Sequence, residues 1–259
     1  MTKSLSIIRS DESGDLETRR EDVAAALVRG IVGITPIVGP LLSEAITATI
    51  PNQKIDRLIA FAKEVDDRVR YLEGDTVELK MKSEEFADLL EDCLIQASRA
   101  MSPERRSYIA ALLVNSITNE QLSHIEEKKL LSLLGELNDA EILTLKSYSL
   151  RSNERRQFAV LHADLFKPIR RTFTSPQIDL DRAALHDSYR SKLLEVGLLD
   201  LDYKRVQKGE LPEFDERTGR IKANGYKVTS LGKLLLRSID QNPANSQEPA
   251  TDPKERRDD

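Results

Sequence analysis

Few side chains in this sequence have the type and spacing that catalysis or metal binding requires. The three histidines, His124, His162 and His186, stand far apart, with no cysteine or carboxylate at zinc-ligand spacing, which argues against a zinc site. Cys93, the single cysteine, falls on an apolar helical stripe and is expected to be a buried, unreactive thiol. We therefore predict that the protein holds no metal and no cofactor.

Pairs of glutamates and isolated glycines are also better explained by structural roles than by catalytic roles. The glutamates at 84–85 and at 126–127 are adjacent, so the members of each pair point in different directions on a helix, and we expect solvated charges. Gly232 and Lys233 lack the preceding glycine-rich turn of a phosphate loop, and no G-x-S-x-G sequence occurs. The protein is predicted not to be an enzyme, although a fold can assemble a site from distant residues.

Basic side chains in the C-terminal half are the remaining candidates, because they could contact nucleic acid. The pattern predicts a helix over residues 181–196. The candidates on this helix and in the loop after the next strand are Arg182, Arg190, Lys192, Arg217 and Arg220. Acidic residues are interspersed with them, and each acid that faces phosphate opposes the counterion release on which DNA affinity depends. DNA binding and protein binding both stay open for this region.

The composition indicates the elements that must carry these side chains. Charged residues make up 32% of the 259 residues, tryptophan is absent, and there are 11 glycines and 10 prolines, which is typical of a mainly helical protein. Residues 1–136 carry a net charge of −7 and residues 137–240 a net charge of +4, a shift that suggests two domains. We predict a disordered segment at 1–14, helical and mixed domains at 15–136 and 137–240, and a disordered tail at 241–259.

The most apolar part of the chain, residues 23–50, holds only two charges, Arg29 and Glu44. Gly39 and Pro40 interrupt it, so we predict two short helices joined as a hairpin. We call this segment the apolar stretch. Its candidate contacts for a membrane or a protein partner are Ile31, Val32, Ile34, Ile37, Val38, Leu41 and Leu42.

Three arrangements are open for the apolar stretch. A straight bilayer span needs about 20 mostly apolar residues, and the two charges leave too little uncharged chain for one. Packing inside the N-terminal domain, on a predicted stripe from Phe86 to Met101, is favoured over conditional insertion after oligomerisation. With one cysteine and no evident signal peptide, a cytoplasmic location is expected, and peripheral contact at the inner membrane stays open.

The helices that follow the apolar stretch show strong periodicity. Two sets of apolar residues recur every seven positions, namely Ile55, Ala62 and Val69, and Leu58, Val65 and Leu72. This seam fits either packing within the chain or a dimeric coiled coil. Further stripes predict three antiparallel helices over residues 84–137, with Ser102 and Pro103 starting the second.

Capping signals and stripes organise residues 137–240. Asn138 with Glu141 forms a capping box at the start of a helix. Asp181 is expected to cap the helix over 181–196, whose inward face includes Leu185. The elements that complete the order are a strand at 198–206, a returning strand through 226–228 and a last helix capped by Thr229.

The order helix, helix, helix, strand, loop, strand resembles that of a winged helix. LLEVGLLDL (193–201) resembles a recognition helix that runs into the first wing strand, and YKVTSLGKLLLRSI (226–239) resembles the return strand and the next helix. The resemblance covers about 100 residues and implies a fold that serves either as a DNA reader or as a protein-binding module.

The N-terminal half carries a second resemblance. IPNQKIDRLIAFAKEV (50–65) and SPERRSYIAALL (102–113) resemble a group of uncharacterised bacterial helical proteins with an IPNQxxDR motif, similar to the abortive-infection alpha type. This resemblance implies a role near phage defence and no catalytic activity. Asn52, Asp56 and Arg57 match the motif, and they also fit ordinary helix-start chemistry.

Together these patterns predict a mainly α protein. An N-terminal helical bundle contains the apolar stretch, and a C-terminal winged-helix-like domain carries a small β-hairpin wing. The predicted function is a non-enzymatic bacterial interaction protein that acts through a protein partner, self-association or conditional membrane contact in phage defence. The alternative is a winged-helix DNA-binding transcriptional regulator. A continuous positive face on helix 181–196 would favour DNA, and a mixed face would favour a protein partner.

Overall fold

The computed structural model describes residues 55–72, 75–119, 121–169, 172, 175–206, 209–216 and 219–242. The chain divides into two compact units between Gly135 and Glu136, next to the boundary at 136/137 predicted from the charge distribution. The apolar stretch and its seven candidate contacts, from Ile31 to Leu42, lie outside the described residues. The same holds for the segment predicted at 1–14 and for the tail from residue 243 onward.

The regular secondary structure in the described residues of unit 1 is all α-helical. Its helices are α1 (Ile55–Val69), α2 (Asp75–Met81), α3 (Glu84–Arg99), α4 (Pro103–Thr118) and α5 (His124–Glu136). Helix α2 is absent from the sequence-based prediction, because its seven residues are too few for a periodic stripe. Side chains cap two of the helices. Ser83 Oγ accepts from Phe86 N at 3.2 Å, and Ser102 Oγ accepts from Arg105 N at 3.1 Å.

The core of unit 1 forms where α1 packs against α3 and α4. Leu58, Ala62, Val65 and Val69 of the heptad seam are buried there, and so is Phe61 beside them. The seam therefore packs within a single chain, which is the first of the two arrangements that the periodicity allowed. Five buried side chains on one helix remove a large apolar area from water and stabilise the unit.

The apolar stripe of α3 ends earlier than the sequence predicted. Phe86, Leu90 and Ala97 are buried, but Met101 is 78% exposed. The reason is local, because the helix ends at Arg99 and Ala100 takes an extended conformation. Met101 therefore lies in the connection to α4 and not on the helical face.

Unit 2 combines five helices and two strands in its described residues. They are α6 (Asp139–Ser149), α7 (Ser152–Leu161), α8 (Ala163–Phe166), α9 (Gln177–Glu195), β1 (Leu199–Tyr203), β2 (Ala223–Val228) and α10 (Ser230–Ser238). Helix α6 packs against α9, β2 and α10 and is the centre of the unit. Its start is the predicted capping box, in which Asn138 Oδ1 accepts from Glu141 N at 2.9 Å and Asn138 N donates to Glu141 Oε2 at 2.8 Å.

The two strands form an antiparallel pair with Leu199 opposite Val228 and Leu201 opposite Tyr226. An isolated bridge between Phe214 and Ile221 extends the pairing into the connecting loop. We call residues 199–228 the β-hairpin. The protein is therefore mainly α with one small antiparallel β-hairpin, as predicted. Among the helices that the structure describes, none has the length and apolar character that crossing a bilayer requires.

Helix α9 differs from its prediction in two ways. It begins at Gln177 and not at Asp181, because the carbonyl of Pro176 already accepts bonds from the backbone of the first turn. Its inward face also differs in the first half of the helix. Leu193 is buried as predicted, but Ala183 is buried in place of Leu185, which was predicted to point inward and is 54% exposed.

Candidate functional site

The predicted nucleic-acid contacts on α9 do not form a continuous positive face. Arg182 is exposed. Arg190 forms an ion pair with Asp187, and Lys192 Nζ lies 3.3 Å from Glu136 Oε2. Arg190 and Lys192 are two residues apart, so they project about 200° apart around the helix axis. Two of the three cations are therefore held by carboxylates, and they point away from each other.

The β-hairpin has the same mixed character. Arg220 is exposed, and Arg217 lies outside the described residues. Glu213 lies 3.5 Å from Lys204 and 3.8 Å from Lys222, and Lys227 lies 3.4 Å from Asp200. Such exposed pairs add little stability, but they cancel much of the positive potential that phosphate would need.

Large apolar side chains are exposed on the same β-hairpin. Leu211 is 88% exposed and Phe214 is 57% exposed, and Ile221, which bridges to Phe214, is also exposed. Backbone hydrogen bonds hold this end in shape, from Asp215 N to the carbonyl of Arg220 and from Lys222 N to the carbonyl of Glu213, both at 2.8 Å. Phe214 and Ile221 are thus presented next to each other on a hydrogen-bonded backbone. Neighbouring exposed apolar groups are typical of interaction surfaces.

A cluster of aromatic rings and arginines connects four elements of unit 2. The Arg155 guanidinium lies 5.2 Å from the Tyr148 ring, and Tyr148 meets Tyr226 edge-to-face at 5.5 Å. Arg190 lies 5.9 Å from the Tyr226 ring. Arg155 also donates to the carbonyls of Ser147 at 2.7 Å and of Tyr148 at 3.0 Å, which are at the C-terminal end of α6. One arginine therefore stabilises both a helix end and an aromatic ring.

Sequence patterns did not reveal this cluster. Its members come from α6, α7, α9 and β2, so no spacing along the chain links them. The only local signal is that Arg155 stands shortly after Tyr148, the next-to-last residue of α6. That position allows a basic side chain to reach back to helix-terminal carbonyls.

Unit 1 contains a polar cluster between α3 and α5. Nε2 of His124 lies 2.7 Å from Asp88 Oδ2, and Lys128 Nζ lies 2.6 Å from the same oxygen and 2.9 Å from Asp92 Oδ2. Hydrogen bonds from Lys128 and His124 hold the pKa of Asp88 below its usual range. No three metal-ligating side chains converge within the described parts of the chain. The cluster therefore works as a charged connection between two helices.

Glu127 corrects a sequence-based expectation. It was predicted to be solvated together with its neighbour, but its side chain is only 3% exposed and its Oε1 atom has no hydrogen-bond partner among the described residues. Burial raises the pKa of this carboxyl group, against a smaller lowering by Lys80 and His124. Glu126 is exposed and accepts from Ser123 N at 2.7 Å. The two glutamates thus occupy opposite environments.

Cys93 is fully buried in unit 1. Burial raises the pKa of the Cys93 thiol, with a further contribution from the charge of Asp92. A thiol with a raised pKa holds little thiolate at neutral pH, so this group is a poor nucleophile and a poor metal ligand. Its role is packing.

The surface of α9 and the β-hairpin is therefore the candidate interaction site of unit 2, with paired charges and exposed apolar groups. Comparison of the chain with known protein families, with curated proteins and with solved structures finds no significant match.

Proposed function

We propose that unit 2 is a winged-helix-like module that binds a protein partner through the β-hairpin and the exposed side of α9. The observation that carries this proposal is the combination of exposed Leu211, Phe214 and Ile221 with cations that carboxylates already hold. Apolar side chains on an ordered backbone lose little conformational entropy when a partner covers them. Phosphate binding, in contrast, would require breaking the existing ion pairs.

The proposal separates the roles of apolar and basic side chains, and this separation can be tested. Leu211→Ser with Phe214→Ser removes the apolar groups, and Arg182→Ala with Arg220→Ala removes two exposed cations. All four side chains are exposed, so neither variant is expected to unfold the protein. Unchanged circular dichroism and melting temperature serve as the control for both.

Tagged full-length protein is purified from its native host with and without nuclease, and its associated proteins are quantified by mass spectrometry. We expect one protein to be enriched with the wild type and with the arginine variant, and to be lost with the apolar variant. Nuclease treatment should not release it. Loss with the arginine variant, or release by nuclease, would favour the DNA-binding alternative instead.

DNA binding itself is tested by fluorescence anisotropy with labelled duplexes over a range of salt concentrations. A DNA reader that neutralises several phosphates loses affinity steeply with salt, roughly 1000-fold or more between 50 and 200 mM. For the full chain we expect no sequence-selective complex at physiological salt. A tight, sequence-selective and salt-sensitive complex would overturn the protein-binding proposal.

The phage-defence setting and conditional membrane contact are proposals that rest on the sequence, since the apolar stretch lies outside the described residues. Phage plating on host cells with and without the gene tests the setting. Fewer plaques on the strain that carries the gene would support a role in phage defence, and equal plating across a broad phage panel would count against it.

Liposome flotation of the full chain tests membrane contact, and Ile34→Asp with Val38→Asp should abolish flotation if the apolar stretch is responsible.

A further inference from the structure

A cleft in unit 2 lies next to the cluster of aromatic rings and arginines. It encloses about 270 Å³ between α6, α7, α8 and α9. This volume is close to the lower end of the range for small-molecule pockets, roughly 300–1000 Å³. The cleft is large enough for a molecule of one or two rings and too small for a dinucleotide.

The lining of the cleft has a distinct chemistry. Four rings contribute to it, those of Tyr148, Phe166, His186 and Tyr189. Two guanidinium groups, Arg155 and Arg190, also line it, and no carboxylate does so within the described residues. Arg190 forms an ion pair with the Asp187 side chain, whereas Arg155 donates to backbone carbonyls, so no carboxylate among the described residues balances its charge. Rings offer flat apolar faces, and a guanidinium group that no carboxylate neutralises attracts anions and binds carboxylate or phosphate.

The helices on one side of the cleft lack a core of their own. Neither α7 nor α8 has a buried residue, and they are joined by ring contacts of Phe158 with His162 at 4.4 Å and with Phe166 at 5.7 Å. Filling the cleft would therefore add apolar contacts where the protein has few. A ligand that binds only the folded unit stabilises it by mass action.

We propose that this cleft binds a small planar aromatic anion. The rings of Tyr148, Phe166 and Tyr189 contact its flat faces, and Arg155 binds its carboxylate or phosphate. The inference goes beyond the protein-binding proposal, because the cleft lies between α6, α7, α8 and α9 and includes no residue of the β-hairpin. Loss of ligand binding and loss of partner binding are therefore separate outcomes.

The probe for this site is 2-naphthoate, with uncharged 2-naphthamide as its matched control, titrated into the full chain by calorimetry. For about thirteen heavy atoms we expect a Kd on the order of 1 mM or tighter. 2-Naphthamide should bind at least about 10-fold more weakly, because it lacks the charge that Arg155 recognises. Equal affinity for the two compounds would refute the proposal. So would the absence of naphthoate binding at a ligand concentration about 10 times the expected Kd.

Two kinds of variant locate the binding. Arg155→Gln should weaken naphthoate binding about 10-fold and leave naphthamide nearly unchanged. Since Arg155 also stabilises the end of α6, Ala159→Leu provides a variant that fills the cleft without removing a polar contact. It should abolish binding, while Ala184→Leu, an exposed position on α9 outside the cleft, should bind as the wild type does. Wild-type affinity in Ala159→Leu would show that the probe binds elsewhere and would contradict the proposal.

Discussion

At the scale of single residues, two adjacent glutamates show how strongly the environment decides the role of a side chain. Glu126 accepts hydrogen bonds from the backbone and hydroxyl of Ser123, and these bonds lower its pKa. Glu127 points into unit 1, where burial raises its pKa. The two neighbours should therefore change stability in opposite directions when their charge is removed.

Glu127→Gln is expected to raise the melting temperature at pH 7, because Gln has no charge to desolvate. With a raised pKa, the folded state binds the proton of Glu127 more tightly than the unfolded chain does. The associated stability is present below the unfolded pKa, about 4.3, and is lost as pH rises through the folded pKa. The gain from the substitution should therefore shrink as the pH is lowered, which thermal melts across pH can follow.

Glu126→Gln is the matched control and should lower the melting temperature at pH 7. Its lowered pKa means that the carboxylate stabilises the folded state above the unfolded pKa and that this contribution is lost as pH falls. If both substitutions shift the melting temperature in the same direction, the assignment of a buried and a capping glutamate is wrong.

Gly232 is a residue whose small size the structure explains. Thr229 Oγ1 accepts from Gly232 N at 3.0 Å and donates to the carbonyl of Gly197 at 2.7 Å, which brings the start of α10 close to the start of β1. A Cβ at position 232 would collide with the backbone oxygen of Leu198 and would lie 2.8 Å from Val228 Cγ1. There is therefore no room for a side chain.

Gly232→Ala is expected to destabilise unit 2 by roughly 1–3 kcal/mol. Helix propensity alone would favour alanine by about 1 kcal/mol, so the steric collision decides the sign. Gly225→Ala, in β2, is the control, because a Cβ there meets no atom within 4 Å. Chemical denaturation measures both. A stabilised Gly232→Ala variant would contradict the close approach of α10 to β1.

At the scale of elements, substitutions on α1 test whether its heptad seam forms the core of a single chain or an interface between two chains. Phe61 is fully buried, so Phe61→Ala should cost about 3–5 kcal/mol in the free energy of unfolding. Tyr71→Ala, an exposed position just after the helix, should change it by less than about 0.5 kcal/mol. The unfolding midpoint of the wild type should not depend on protein concentration. A dependence would indicate that the seam also pairs chains.

Sequence patterns predicted the elements well where local chemistry defines them. The capping box of Asn138 and Glu141, the start of α4 at Pro103 and the cap at Thr229 all follow from short-range hydrogen bonds. The prediction was wrong where tertiary contacts decide. The start and inward face of α9 and the burial of Glu127 depend on the packing of distant helices, which periodicity within one helix does not contain.

The candidate sites were harder to predict than the fold. The basic residues of α9 could be identified from their residue types, but the carboxylate partner of Lys192 could not, because Glu136 lies 56 positions away in the sequence. The cleft is built from four helices, so its aromatic and basic lining could not be identified from any single segment. Sites assembled from distant elements require the structure.

At the scale of the whole molecule, the division between Gly135 and Glu136 predicts two units with separate stability. Hydrogen exchange of Phe61→Ala and Gly232→Ala tests this with two variants that act in different units. We expect faster exchange in residues 55–135 for the first variant and in residues 136–242 for the second. Faster exchange throughout the chain in either variant would show that the units unfold together.

The most direct test of the central proposal is photocrosslinking in the native host. A photoreactive phenylalanine analogue replaces Phe214 of the β-hairpin in one strain and Arg182 of α9 in another. Adducts are then treated with protease or with nuclease. We expect the Phe214 position to give a discrete adduct that protease destroys and nuclease does not, and the Arg182 position to give no adduct with nucleic acid. A nuclease-sensitive adduct at Arg182, with no protein adduct at Phe214, would contradict the proposal that unit 2 binds a protein partner.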